Sequence, residues 1–138
     1  MFQTIVVPVD LAHEANLQKC LQVAAEMAKH HQARLCFVGV ASANPGAVAR
    51  TPEEYANKLQ SFAEAQAASH GVATSAHAIQ SHDPAVDMNK ALDKAIAELG
   101  ADLVIMQSHV PNVTDYIWAG HGAHVAAHAK ASVMLVRD

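Results

Sequence analysis

Thr4-Ile5-Val6-Val7-Pro8-Val9-Asp10 is the stretch that decides the fold class of this chain. From Thr4 to Val9 the residues are β-branched apart from Pro8, with none of the polar–apolar alternation of a strand that has one wet face. Such a run marks a strand covered on both faces, the usual situation of parallel strands in α/β proteins. Asp10 ends it, and a helical pattern follows. Leu17, Cys20, Leu21, Ala24, Met27 and Ala28 recur at three- and four-residue spacing and form one apolar stripe. A buried strand feeding an amphipathic helix is the first half of a βαβ unit.

The alternation continues downstream. Ala33 to Val40 predicts a second strand, with Leu35, Phe37 and Val38 inside it, and Asn44-Pro45-Gly46 marks a loop between Ser42 and Thr51. Thr51-Pro52-Glu53-Glu54 has the order of a helix start: a capping hydroxyl, a proline at the first helical position, then acids. Tyr55, Leu59, Phe62 and Ala63 form that helix's stripe, which ends at His70-Gly71. Val72 to Ile79 predicts a weaker third strand. Asp83-Pro84 opens a helix with Met88, Ala91, Leu92, Ala95, Ile96 and Leu99 on one face and Gly100 as its stop. Leu103 to Met106 is a short apolar strand, and a polar loop runs from Gln107 to Asp115. An Ala/His-rich helix is expected from about Ile117 to Lys130, and Ser132 to Val136 is the last strand.

The chain therefore reads as one α/β domain over residues 1–138, a doubly wound five-stranded parallel sheet. Right-handed crossovers put helices on both faces of such a sheet. Ligands then bind beyond the carboxyl ends of the strands, where the winding reverses. This rule selects Pro8, Val9 and Asp10, Val40 and Ala41, and Gln107, Ser108 and His109 as candidate ligand residues.

Composition narrows the function classes. Hydrophobic residues make up 51% and aromatics only 4%, which suits helices packed on a sheet. The formal net charge is −4, with 9 basic against 13 acidic residues and no Lys/Arg run, so a nucleic-acid partner is not expected. No apolar run reaches the roughly 20 residues of a membrane helix, so no membrane partner is expected either. The start, Met1-Phe2-Gln3-Thr4, has neither a basic region nor a cleavage site, and the expected location is the cytoplasm. Cys20 and Cys36 fall inside predicted elements and read as buried small hydrophobes.

Each candidate carries two readings. Asp10 at a strand end can accept from a ribose hydroxyl or a base edge, or it can cap the backbone near Ala12 and His13. Ser108 and His109 can donate to phosphate or ribose, or they can stabilise the long loop. No G-x-S-x-G setting surrounds Ser108, so no catalytic triad is read here. His121, His124 and His128 share a helix face. No accompanying pattern makes them a resident metal site, and an anion near His121 is the preferred occupant. Tyr116 and Trp118 can stack on a base or anchor the loop to the sheet or to a second subunit. The apolar last strand, Val133 to Val136, is expected at a sheet edge, where pairing across a twofold axis would bury it.

Three segments resemble the universal stress protein family. Ile5-Val6-Val7-Pro8-Val9-Asp10 is similar to its first strand and acidic tip. Asp83-Pro84, with Gly100-Ala101-Asp102-Leu103-Val104-Ile105-Met106, resembles its third helix and fourth strand. Ser108-His109-Val110-Pro111-Asn112, through His128-Ala129 to Val133-Met134-Leu135-Val136-Arg137, resembles its ligand loop and closing strand. The resemblance implies strand order 3-2-1-4-5, an adenine nucleotide alpha hydrolase-like fold, a homodimer, and in many members bound ATP. ATP-binding members carry a loop of the form G-x-x-G, then, after a spacer, G-[ST]. The corresponding places here hold Gln107, Val110 and Ala119-Gly120, with Gly122 and His121 just beyond. The Ser-His-x-Pro-[Asp/Asn] loop resembles a subgroup that departs from the glycine-rich form. Side chains at Gln107 and Val110 stand where a backbone would approach phosphate closely.

The expected function is a cytoplasmic regulatory protein binding an adenine nucleotide, ATP or AMP with or without Mg2+, at the ends of strands one, two and four. It acts as a homodimer on an unidentified regulatory protein partner. The alternative is a dimeric interaction module of the same fold with little nucleotide affinity. A slow nucleotide hydrolase ranks last, because phosphoryl transfer needs a positioned base and charge-stabilising cations.

Overall fold

The computed structural model of the chain describes residues 1–42, 46, 48–81, 84–108, 118 and 120–137. Asp83, His109, Val110, Tyr116, Ile117 and Ala119, singled out above, lie outside these residues. The strands are β1 (Thr4–Pro8), β2 (Arg34–Ser42), β3 (Thr74–Ser81), β4 (Leu103–Gln107) and β5 (Ser132–Val136). The helices are α1 (Gln18–His31), α2 (Pro52–His70), α3 (Pro84–Glu98) and α4 (His121–His128), with a 3-10 segment at Leu11–Leu17. All pairings are parallel, and the sheet order is β3-β2-β1-β4-β5.

The expected doubly wound sheet is thus observed, and its centre follows from the first stretch of sequence. Every residue of β1 and of β4 is buried, because helices cover both faces there. Ile5, Val6, Val7, Leu35, Phe37, Val38, Val104 and Ile105 form one core with Leu21 and Ala24 from α1, Leu59 and Ala63 from α2, and Leu92 from α3.

Element boundaries differ from the expected ones for local reasons. β2 runs on to Ser42 and β3 begins at Thr74, because the pairing extends from Leu35↔Thr74 to Ser42↔Ser81. The chain after β1 first makes the 3-10 segment, kinked at His13, so Leu17 joins the core from there and not from α1. The last helix is shorter than Ile117 to Lys130. Gly120 takes a left-handed φ of 78° immediately before it, and Ala129 returns to extended backbone after it. Helix signals read from caps survive well. Thr51 Oγ1 accepts from the Glu54 N–H at 3.1 Å with Pro52 next to it, and Gly100 at φ 66° closes α3 as its stop.

The sheet is held together at its amino end and opens at its carboxyl end. Asp102, just before β4, grips the amino end of β1: its carboxylate accepts from Gln3 N–H at 2.9 Å and Thr4 N–H at 3.0 Å. Its own N–H donates to Thr4 O and its carbonyl accepts from Ser132, so it also sets β4 and β5. Beyond this grip β1 and β4 pair only at Ile5↔Leu103 and Val6↔Val104, whereas β1 and β2 stay in register from Thr4↔Arg34 to Pro8↔Val38. The two central strands therefore part toward their carboxyl ends, at the point where the winding reverses.

Candidate functional site

Asp10 and Val40 come together as expected. They line a cavity of about 170 Å³ at the carboxyl ends of β1 and β2, closed by Ser42, Thr51 and Tyr55 with Ala12 and Val48 beside them. Asp10 is 8% exposed, and its Oδ1 accepts from the Ala12 N–H at 3.0 Å. The capping reading of Asp10 is thus observed, on a side chain that also faces the cavity.

Tyr55 is the wall that sequence reasoning missed. Its place on the α2 stripe made it a core residue, and it is buried; but its ring lies over β2 at Gly39, where no side chain intervenes. Burial pushes its hydroxyl well above the phenol range, and the negative charge of Asp10 adds to this against an opposing hydrogen bond at the Val40 backbone. The Tyr55 hydroxyl therefore stays protonated and neutral at physiological pH. Thr51 was legible only as a helix cap, and Ser42 only as the start of a loop. No signal along the sequence joins them, because α2 brings its first turn back over the end of β2 only in the folded chain.

The remaining candidates divide. Val9 is buried; its N–H donates to Val38 O at 2.8 Å, and its carbonyl accepts from the indole N–H of Trp118 at 2.9 Å. Trp118 is 1% exposed, so the anchoring reading describes it. Pro8 and Ala41 are buried strand residues, and Ala41 does not line the cavity. Gln107 is buried at the end of β4 opposite Val136. Ser108 turns to β5: its N–H donates to Val136 O at 3.0 Å and its hydroxyl lies 3.4 Å from the same oxygen. Gly120 is exposed, and Gly122 is buried against Leu135.

The three histidines of α4 do share a face, and that face meets α3. His121 Nδ1 bonds Asn89 Oδ1, and His124 Nε2 lies 3.0 Å from Asp93 Oδ2. The His128 ring stacks on that of His124 at 4.3 Å. Burial holds His121 below the usual histidine range, with the neighbouring His124 charge acting the same way, so its neutral form is favoured. Among the described residues, no group of three or more His, Cys, Asp and Glu side chains is arranged to hold a metal ion.

Larger grooves lie elsewhere, among them one of about 280 Å³ between β3 and α3. One of about 630 Å³ runs between the 3-10 segment and α2, past Glu14 and Lys58, and shares Ala12 and Val48 with the cavity. Another of about 520 Å³ lies between the ends of α3 and α4, beside Gly100 and Lys130 at the amino ends of β4 and β5. Location and converging polar groups, not size, make the cavity at Asp10 the candidate ligand site. No helix among the described residues is long and apolar enough to cross a membrane.

The same architecture recurs in solved structures. A universal stress protein family member from Burkholderia pseudomallei superposes with a TM-score of 0.70 at 21% identity, covering 97% of this chain and 95% of that one. A universal stress protein from Archaeoglobus fulgidus in complex with dAMP gives 0.66 at 18% identity, covering 96% of each chain. An Arabidopsis thaliana family protein with AMP bound gives 0.65 at 13% identity, covering 98% and 91%. At such identities the likeness establishes the fold. The family itself follows from the sequence profile, since the model of the universal stress protein family matches residues 1–137. With that match over a β3-β2-β1-β4-β5 sheet, this chain belongs to the universal stress protein family.

Proposed function

We propose that the protein is a regulatory binding protein that takes an adenine nucleotide at the carboxyl ends of β1 and β2. The observation that carries this reading is the cavity between Asp10, Val40, Ser42, Thr51 and Tyr55, where one carboxylate and three hydroxyl-bearing side chains converge. Asp10 accepts from a ribose hydroxyl or a base amine, and the neutral Tyr55 ring flanks the base. Relatives of the same fold that hold dAMP and AMP support the choice of adenine. The reading assigns binding and not hydrolysis, because no lysine or arginine lines the cavity among the described residues to stabilise a phosphoryl transfer. Two buried free cysteines, with the Cys20 thiol pushed up to about 12 by burial, suit the reducing cytoplasm.

Calorimetric titration with AMP against a pyrimidine control tests this. AMP is expected to bind and CMP to bind more weakly; no heat with millimolar AMP would sink the reading and leave the interaction module. Asp10→Asn separates the two roles of the residue, because asparagine caps about as well as aspartate. It is expected to keep the fold and weaken AMP by about tenfold, the scale of one hydrogen bond to a charged group.

The reading includes a homodimer through β5. That strand is the sheet edge, with Leu135 39% exposed and Val133 and Met134 half-buried. An apolar edge of this kind is covered economically by pairing with its twofold copy. Sedimentation should give a dimer for the native chain and a monomer for Leu135→Glu; a native monomer would remove the dimer from the reading.

A further inference from the structure

We infer that Trp118 is the specificity-determining residue of the cleft, and that it makes the cleft accept adenosine and AMP while refusing ATP. The inference rests on the adenine reading above and concerns what that site excludes.

In a doubly wound sheet the crevice between the diverging central strands is where a phosphate chain runs, from the first strand's tip toward a helix N-terminus. Here β1 and β4 part after Val6↔Val104, and the indole of Trp118 is seated at the tip of β1 with its N–H on Val9 O at 2.9 Å. It is held from the other side as well. The Trp118 carbonyl accepts from the His121 N–H at 3.0 Å, and the His121 ring meets the indole edge-on at 6.0 Å. At 1% exposure the ring is packed in place at the tip of β1, so a phosphate chain taking that route would have to displace it. His121, the nearest basic side chain along the chain, is bonded to Asn89 and held toward its neutral form, so it offers an anion little charge.

The space that remains has the size and charge of the other end of a nucleotide. At about 170 Å³ the cavity is below the roughly 300–1,000 Å³ of pockets that enclose whole drug-sized ligands. It is near the about 150 Å³ that accommodates a single aromatic ring. Asp10 is the one charged side chain lining it among the described residues, and its sign repels phosphate. The cation of the adjoining groove, Lys58, is already engaged with Glu54 at 3.4 Å and with the Val48 carbonyl. One phosphate can remain in solvent at the mouth, whereas a triphosphate brings more negative charge past Asp10 with no compensating cation lining the cavity among the described residues.

The test is a matched titration of the native protein and a Trp118→Leu variant with adenosine, AMP and ATP. In the native protein ATP is expected to bind about tenfold or more weaker than AMP, and in Trp118→Leu that gap is expected to narrow severalfold, with Asp10 accounting for what remains. Native ATP affinity equal to that of AMP, or a ratio unchanged in the variant, overturns the inference and leaves adenine binding intact. Failure of all three compounds on the native protein instead removes the adenine reading, and the selectivity with it. If Trp118→Leu does not fold, Trp118→Met, which also removes the ring from the tip of β1, is titrated in its place and the same ratio decides. A ligand-free check exists because Trp118 is the only tryptophan. Its emission should resist acrylamide in the native state, and quenching as strong as in urea would show an open crevice and overturn the inference.

Discussion

Replacing Gly39 with alanine is expected to destabilise the fold by about 1–3 kcal/mol, the usual cost of overpacking a well-filled interior. Gly39 sits within β2 under the Tyr55 ring. A Cβ built there would lie 2.4 Å from the Tyr55 hydroxyl and 3.1 Å and 3.2 Å from two ring carbons. Its backbone is ordinary strand, so alanine introduces no conformational strain, and the whole effect must come through Tyr55. Displaced from Gly39, the ring moves within the wall of the cavity it lines, so AMP binding should weaken in the same variant. Urea unfolding reads the first effect and calorimetry the second. In a Tyr55→Phe background the closest contact is gone, and the cost of Gly39→Ala should be clearly smaller than in the native chain. Strict additivity of the two substitutions would show that the contact is not the cause.

Asp102→Ala is expected to cost about 2–3 kcal/mol. The carboxylate receives two backbone N–H groups, from Gln3 and Thr4, and bonds to a charged acceptor contribute about 1.5–3 kcal/mol each when buried. The Gln3 bond is exposed and the Thr4 bond only partly buried, so water replaces part of the loss and the sum falls short of twice that figure. Asp102→Asn keeps one acceptor oxygen and should lie between. A loss below about 0.5 kcal/mol in the alanine variant, the level of an ordinary surface substitution, would mean that β1 is held without this grip.

Much of the fold is legible because its signals are local. The β-branched run of β1, the Thr51-Pro52 cap and the Gly100 stop each follow from the conformational preference of a few neighbouring residues, and each stands where expected. Strand order is different in kind: the residues alone give parallel strands and crossovers, and the order came from family resemblance. Boundaries moved where pairing partners, not propensity, set the limit, as at Ser42 and Thr74 in β2 and β3. Two residues of the candidate site were legible for the same reason as the fold. Asp10 and Val40 sit at strand ends, which a general rule selects. Ser42, Thr51 and Tyr55 were not legible as a site, since a stripe of apolar positions says which side of α2 is buried and not what it is buried beside. Trp118 allowed two readings in sequence, and only its bond to Val9 O distinguishes them.

The parting of β1 from β4 has a mechanical consequence. The sheet consists of two ribbons, β3-β2-β1 and β4-β5, sewn together by a seam of two register pairs. Asp102 fastens one end of that seam and Trp118 the other. Pulled apart from its termini, such a sheet is expected to part along this line first. A ligand that bridged the two ribbons would act as a third stitch, whereas one confined to the Asp10 cavity lies on one ribbon and leaves the seam as it is.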